Sequence, residues 1–194
     1  GDSNFATICK EGEVIFINRY SVMKSPQTRI ESVSLPSGEK ASSVACCNDS
    51  FFVLSSKGRV FSSSIKSKNF VEFSEVQELS GKEIVSLSGS YQHVLAVSKE
   101  GRVFGCGSNG RGRLGFDKKI SSVSSFTEIS SLDKYKIRSA YAGGSHSLFQ
   151  TLEGKIISCG CNYQDALLLR SGSDFEVYSP TETTIAFGAT FCIA

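Results

Sequence analysis

No apolar run in this sequence is long enough to cross a bilayer as a helix, so no membrane-spanning helix is expected. The opening residues, GDSNFATICKEGEV, carry neither a basic cluster nor a long apolar segment, which speaks against a secretory signal. They also lack an initiator Met, the expectation being an excised or processed chain. Charge is sparse and balanced: 21% of the 194 residues are charged and the net charge is +2. No global field therefore favours nucleic acid or an anionic membrane as the main partner. The seven cysteines (Cys9, Cys46, Cys47, Cys106, Cys159, Cys161 and Cys192) are odd in number and lie in apolar runs. That is the usage of small buried hydrophobes in a reducing compartment, so an intracellular protein, cytoplasmic or nuclear, is expected rather than a disulfide scaffold. Helical periodicity is missing as well.

What is present is a repeat. A charged residue, a glycine, another charged residue and two apolar ones recur at Gly12, Gly58, Gly101 and Gly154, with spacings of 46, 43 and 53 residues. Apolar alternation flanks each glycine, which predicts a two-residue hairpin turn with Gly supplying the positive φ of a primed turn. Runs of small residues precede each hairpin (Ser43–Cys46, Ser86–Gly89, Ala140–Gly143), and a β-prone run follows it (Phe70–Phe73, Phe126–Ile129, Phe175–Tyr178). Each repeat thus offers about four short antiparallel strands. At this period they read as β-propeller blades, which bury their faces only against neighbours. The fold class is all-β, one repeat array over residues 1–194, with units 1–42, 43–84, 85–138 and 139–184 and the start of a further unit at 185–194. The incomplete ends leave two alternatives: a fragment of a larger propeller, or a small array that closes by strand exchange or oligomerisation.

The stretch Glu100–Gly115, EGRVFGCGSNGRGRLG, resembles the repeat of the regulator of chromosome condensation family. Gly107, Asn109, Gly112, Leu114 and Gly115 fall on its G-x-N-x-x-G-x-L-G pattern, and Gly143 to His146 echoes its G-x-x-H element. Gly89 to His93 follows that element with one residue more. The fourth unit keeps Gly160 and Asn162 but has Asp165 and Leu168 where Gly112 and Gly115 stand. The first two units lack the glycine-rich loop, with Ile17-Asn18-Arg19 and Ser62-Ser63-Ser64 in its place. Tryptophan is absent, so repeats of the Trp-Asp and kelch types fit less well. The resemblance implies a divergent propeller and a protein-interaction scaffold. It also implies, as an alternative, guanine-nucleotide exchange on a Ran-like small GTPase.

No catalytic site, metal site or cofactor is legible. His93 and His146, the only histidines, each lie eight residues before a turn glycine, and equivalence in a repeat points to a shared structural bond. Cys159-x-Cys161 and Cys46-Cys47 depart from zinc-ligand spacing. The loop at Gly107 opens no helix of a βαβ unit, so it is not a phosphate cradle. The one uneven charge feature is a loop with Arg111, Arg113, Lys118 and Lys119 against the single acid Asp117. These four are the candidate contacts for an acidic protein or, alternatively, for the phosphates of chromatin or phospholipid. Arg111 and Arg113 are the preferred hot spots.

Overall fold

The computed structural model describes residues 3–22, 25–48, 50–66, 69–70, 72–161, 176–178, 186–187 and 192–193. Its strands form successive antiparallel sheets in chain order. The first holds β1 (Ser3–Ile8), β2 (Val14–Val22) and β3 (Ser25–Val33). The second holds β4 (Ala41–Cys47), β5 (Ser50–Ser55), β6 (Val60–Lys66), β7 (Asn69–Phe70) and β8 (Ser74–Glu75), the last two both pairing with β6. The third is β9 (Ile84–Gly89), β10 (His93–Ser98), β11 (Val103–Ser108) and β12 (Ser122–Glu128). The fourth is β13 (Ile137–Ala142), β14 (His146–Thr151), β15 (Ile156–Gly160) and β16 (Glu176–Tyr178). β17 (Ala186–Phe187) and β18 (Cys192–Ile193) pair Phe187 with Cys192, the register that joins Ala142 to Ser147 in the fourth sheet.

The hairpin turns differ from the expected primed type. Gly101 N–H donates to Ser98 O and Ser98 N–H to Arg102 O, both at 2.9 Å, so the loop is the three residues Lys99–Gly101. Only its glycine has positive φ, at 81°, which is a type I turn closed by a left-handed residue. Gly12, Gly58 and Gly154 repeat the arrangement at φ 85°, 77° and 82°. Two charged residues suit the negative-φ positions of such a turn, whereas a primed turn would put one of them at positive φ. A hydroxyl three residues before each later glycine caps the turn. Ser55 and Ser98 Oγ accept from Arg59 and Arg102 N–H at 3.2 Å, and Thr151 Oγ1 accepts from Lys155 N–H at 3.0 Å.

The same glycines join the blades. The carbonyls of Gly12, Gly58 and Gly101 accept the N–H of Ala41, Ile84 and Ile137, the first residue of the next sheet, at 2.8, 2.9 and 3.2 Å. A Cβ on Gly101 would stand 3.0 Å from Ile137 N, so the glycine is demanded by blade contact as well as by φ. Small residues on the opening strands permit a second close approach, because a Cβ on Gly89 would meet Cys46 O at 2.7 Å. The core accordingly lies in layers between blades. Phe16, Phe51 and Phe73 fill the first; Leu79, Ile84 and Phe104 the second; Leu114, Ile129 and Phe149 the third.

Candidate protein-contact rim

The loops joining first to second and third to fourth strands emerge at one end of the array. There the third blade carries its glycine-rich loop, residues 109–121, between β11 and β12. Asn109 is 2% exposed, and its Nδ2 donates to the carbonyls of Phe116, Asp117 and Ile120 at 3.3, 3.2 and 2.8 Å. Its Oδ1 accepts from Leu114 N–H at 3.0 Å. One side chain therefore closes both arms of the loop. Leu114, fully buried, seats against Gly105 and Ile129, where a Cβ on Gly105 would come 2.8 Å from Leu114 Cδ2. Gly107 (φ 108°) and Gly160 (φ 106°) let the third strands pass over His93 and His146, whose Cα atoms would lie 2.8 and 2.7 Å from an added Cβ. Gly112 and Gly115 supply positive φ inside the loop, at 73° and 75°.

The structure separates the two arginines that the sequence pairs. Arg113 is 6% exposed; it donates Nε–H to Gly110 O at 2.8 Å and Nη1–H to Gly144 O at 3.0 Å and to Gln92 Oε1. Burial, with the Arg111 charge beside it, holds its guanidinium below the usual value. Arg113 is thus an inter-blade clamp rather than an exposed hot spot, because the loop curls it back between the third and fourth blades. Arg111 faces solvent with left-handed backbone (φ 63°, ψ 18°), and its Nη1 contacts Cys161 Sγ at 3.1 Å. A residue of this kind in that region is uncommon and marks a loop shape imposed by its surroundings. Lys118 and Lys119 are exposed on the far arm, where Asp117 Oδ1 accepts from Lys119 N–H at 2.8 Å.

The histidines occupy equivalent sites with different partners. Ser147 Oγ donates its proton to Arg113 O at 2.6 Å, so toward His93 Nε2, 2.9 Å away, it can only accept. His93 Nδ1 is then the acceptor for the Ser90 hydroxyl at 2.9 Å. The chain Ser90–His93–Ser147–Arg113 O ties the third blade to the fourth and to the loop. Burial pushes His93 down to about 3, so the ring is neutral. His146, also lowered by burial, lies over Gly143, where Ser90 stands in the third blade. Ser90 N–H donates to His93 O and Gly143 N–H to His146 O, both at 2.9 Å, so the two loops have equal length. The extra residue expected between Gly89 and His93 is absent, since Gly89 is equivalent to Ala142. Asn162 lies outside the described residues, as do Asp165 and Leu168.

Sequence reasoning missed Ser90, Gln92 and Ser147; the last two find partners on other loops or blades, and Ser90 bonds the His93 ring within its own blade. The turn-capping hydroxyls sit at a constant offset from the three later glycines, where the first unit has Cys9. The opposite end of the array carries ion pairs instead: Arg59 bridges Glu39 Oε1 (2.7 Å) and both oxygens of Glu75, and Arg102 pairs with Glu128. Burial pushes the thiols of Cys46, Cys47 (to about 11), Cys106 and Cys159 up, which leaves them protonated and inert. Among the described residues no group of three or more His, Cys, Asp or Glu side chains converges to hold a metal.

Residues 100–150 match the family model of the regulator of chromosome condensation (RCC1) repeat, and residues 84–113 match a second model of the same description. The Homo sapiens protein named "Probable E3 ubiquitin-protein ligase HERC6" is 31% identical over 146 residues, which are 70% of this chain and 14% of that protein. Mus musculus E3 ubiquitin-protein ligase HERC2 is 33% identical over 90 residues, 45% of this chain and 2% of its own length. The chain thus spans a small part of these relatives. Among solved structures, Prp20p from Saccharomyces cerevisiae superposes with a TM-score of 0.67 at 16% identity, over 92% of this chain and 49% of that one. Human WBSCR16 gives 0.66 at 19% identity, over 81% and 44%. Repeats of this sequence on sheets of this register place the chain in the regulator of chromosome condensation repeat family of β-propellers.

Proposed function

We propose that the chain is a protein-interaction scaffold whose rim, centred on Arg111, grips an acidic surface of a partner protein. One observation carries this reading: the loop is locked from within by Asn109, Leu114 and Arg113, yet it presents Arg111 outward on a left-handed backbone. A rigid loop loses little entropy on binding, and a guanidinium can pair with a carboxylate through two parallel bonds. Tyr91, 75% exposed, stands on the neighbouring loop, and its carbonyl is held by Asn48 N–H at 3.0 Å. Tyr and Arg are the side chains most enriched at interface hot spots. The ligase activity named for the HERC relatives is not carried over, because the matched stretch is the repeat region. The test is affinity capture with the intact chain and with Arg111→Glu. A stoichiometric protein recovered by the first and lost with the second supports the reading; equal recovery by both removes the rim as the contact.

Guanine-nucleotide exchange is the alternative, motivated by the likeness to Prp20p, a protein described with binding properties to Gsp1p and histones. Release of labelled GDP from a Ran-like GTPase at the intrinsic rate, with the chain present in excess, eliminates it. Chromatin or phospholipid binding through Arg111, Lys118 and Lys119 predicts affinity that falls steeply with salt.

A further inference from the structure

The register makes Gly105 of β11 equivalent to Ser62 of β6, since Gly105 pairs with Thr127 and Ser62 with Ser74. Likewise Ile129 and Val76 are equivalent, their N–H groups bonding Val103 O and Val60 O at 2.9 and 2.8 Å. Between the third and fourth blades the space above Gly105 and Ile129 is filled by Leu114 from the glycine-rich loop. Ser131 Oγ fastens that loop to Gly115 O at 3.1 Å. The second blade has no such loop. Its β6 already pairs with β7 at Lys66 and Asn69. At the corresponding place between the second and third blades lies an open cleft of about 480 Å³, lined by Ser62, Val76, Phe52, Cys106 and Phe126. Phe52 and Cys106 remain partly exposed there, whereas their equivalents Leu95 and Cys159 are 0% and 1% exposed. Between the first and second blades the matching position is Phe16, which packs on Phe51 and Phe73 at ring distances of 4.7 and 5.7 Å. The cleft is the seat of a missing plug.

Its rim is acidic. Glu72, Glu75 and Glu78 line it, and no Lys or Arg does among the described residues. Among the described residues, Glu75 alone of the three is paired, with Arg59. We infer that this cleft is a docking site for a partner segment that inserts a leucine-like side chain and flanks it with basic residues. The surface is distinct from the Arg111 rim and opposite in charge, so the two can fail separately.

The chain contains a ready probe of that chemistry. Residues 109–120, NGRGRLGFDKKI, hold Leu114 among two arginines and two lysines. A fluorescent synthetic peptide of this sequence, titrated into the intact chain, is expected to bind saturably and to release with salt. Leu114→Asp in the peptide should weaken binding by roughly tenfold or more. Glu78→Lys in the protein should do the same, being exposed and neutral for the fold. Ser62→Phe, which restores the plug, should abolish it. Absence of saturable binding overturns the inference, and so does binding indifferent to both Leu114→Asp and Glu78→Lys, neither of which depends on Ser62→Phe folding correctly.

Discussion

The second and third blades share strand register, turn geometry and ion pairing, yet one has an open flank and the other a closed one. Arg59–Glu75 and Arg102–Glu128 are the same pair one repeat apart. Ser55 and Ser98 cap the same turn. The difference lies after the third strand: β6 pairs with β7 at Lys66 and Asn69 in one blade, whereas residues 109–121 follow β11 in the other. That loop supplies Leu114 to the core and Arg113 to the next blade's Gly144, so its loss removes a side chain from the inter-blade layer as well as from the surface. In a radial array a connecting loop is part of the core.

Gly107→Val should break the third blade most severely. Its Cβ would press on His93 Cα at 2.8 Å from a φ of 108°, at a cost of about 3–6 kcal/mol from strain and overpacking together. Urea unfolding of this variant beside Gly112→Ala, where nothing lies within 4 Å, separates contact from φ alone. Gly112→Ala should cost only about 1–2 kcal/mol.

Leu114→Ala makes the third blade resemble the second by emptying the seat above Gly105. A loss of about 3 kcal/mol is expected, together with a fluorescent apolar dye binding at the new cavity. A change under about 1 kcal/mol would mean that the loop collapses to refill the space.

Acid should act on the third blade and not the second, which has Ser50 where the third has His93, the two pairing with Ser64 and Gly107. His93 is pushed from 6.5 to about 3, so between those values the unfolded chain binds more protons than the folded one. Stability is therefore complete above pH 6.5 and declines as pH falls. About 2 kcal/mol should be lost by pH 4.5, before the carboxylates Glu39 and Glu75, themselves held low by Ser55 and Arg59, begin to matter. His146 contributes in the same direction. Thermal melts of His93→Gln across this window should show a shallower slope than the parent chain.

Arg111→Ala is expected to move stability by less than about 0.5 kcal/mol, since the side chain is exposed and the loop is closed by others. Arg113→Ala should cost clearly more in the same denaturant series, because Gln92 and Gly144 lose their donor. Equal effects would erase the distinction between clamp and contact.

Much of this protein was written locally. The turn glycines announce themselves because a left-handed residue between two charged ones has few other readings, and apolar alternation places the strands on either side. The hairpin type is not fixed locally, because positive φ at one glycine suits both a primed turn and a type I turn with a left-handed closer. Only the hydrogen bonds from Ser98 tell them apart. Asn109 was legible as a repeat position, though not as the hub of four bonds.

Period, strand content and the family's loop pattern follow from sequence alone, because each depends on residues within one repeat. Tertiary structure decided which arginine faces out, what His93 holds 54 positions away, and which inter-blade seat stays open. Those outcomes depend on how adjacent blades stack, so that Arg113 finds Gly144 and Leu114 finds Gly105. Local alternation carries no information about such pairings, since the same apolar residue serves equally well as a plug or as a wall.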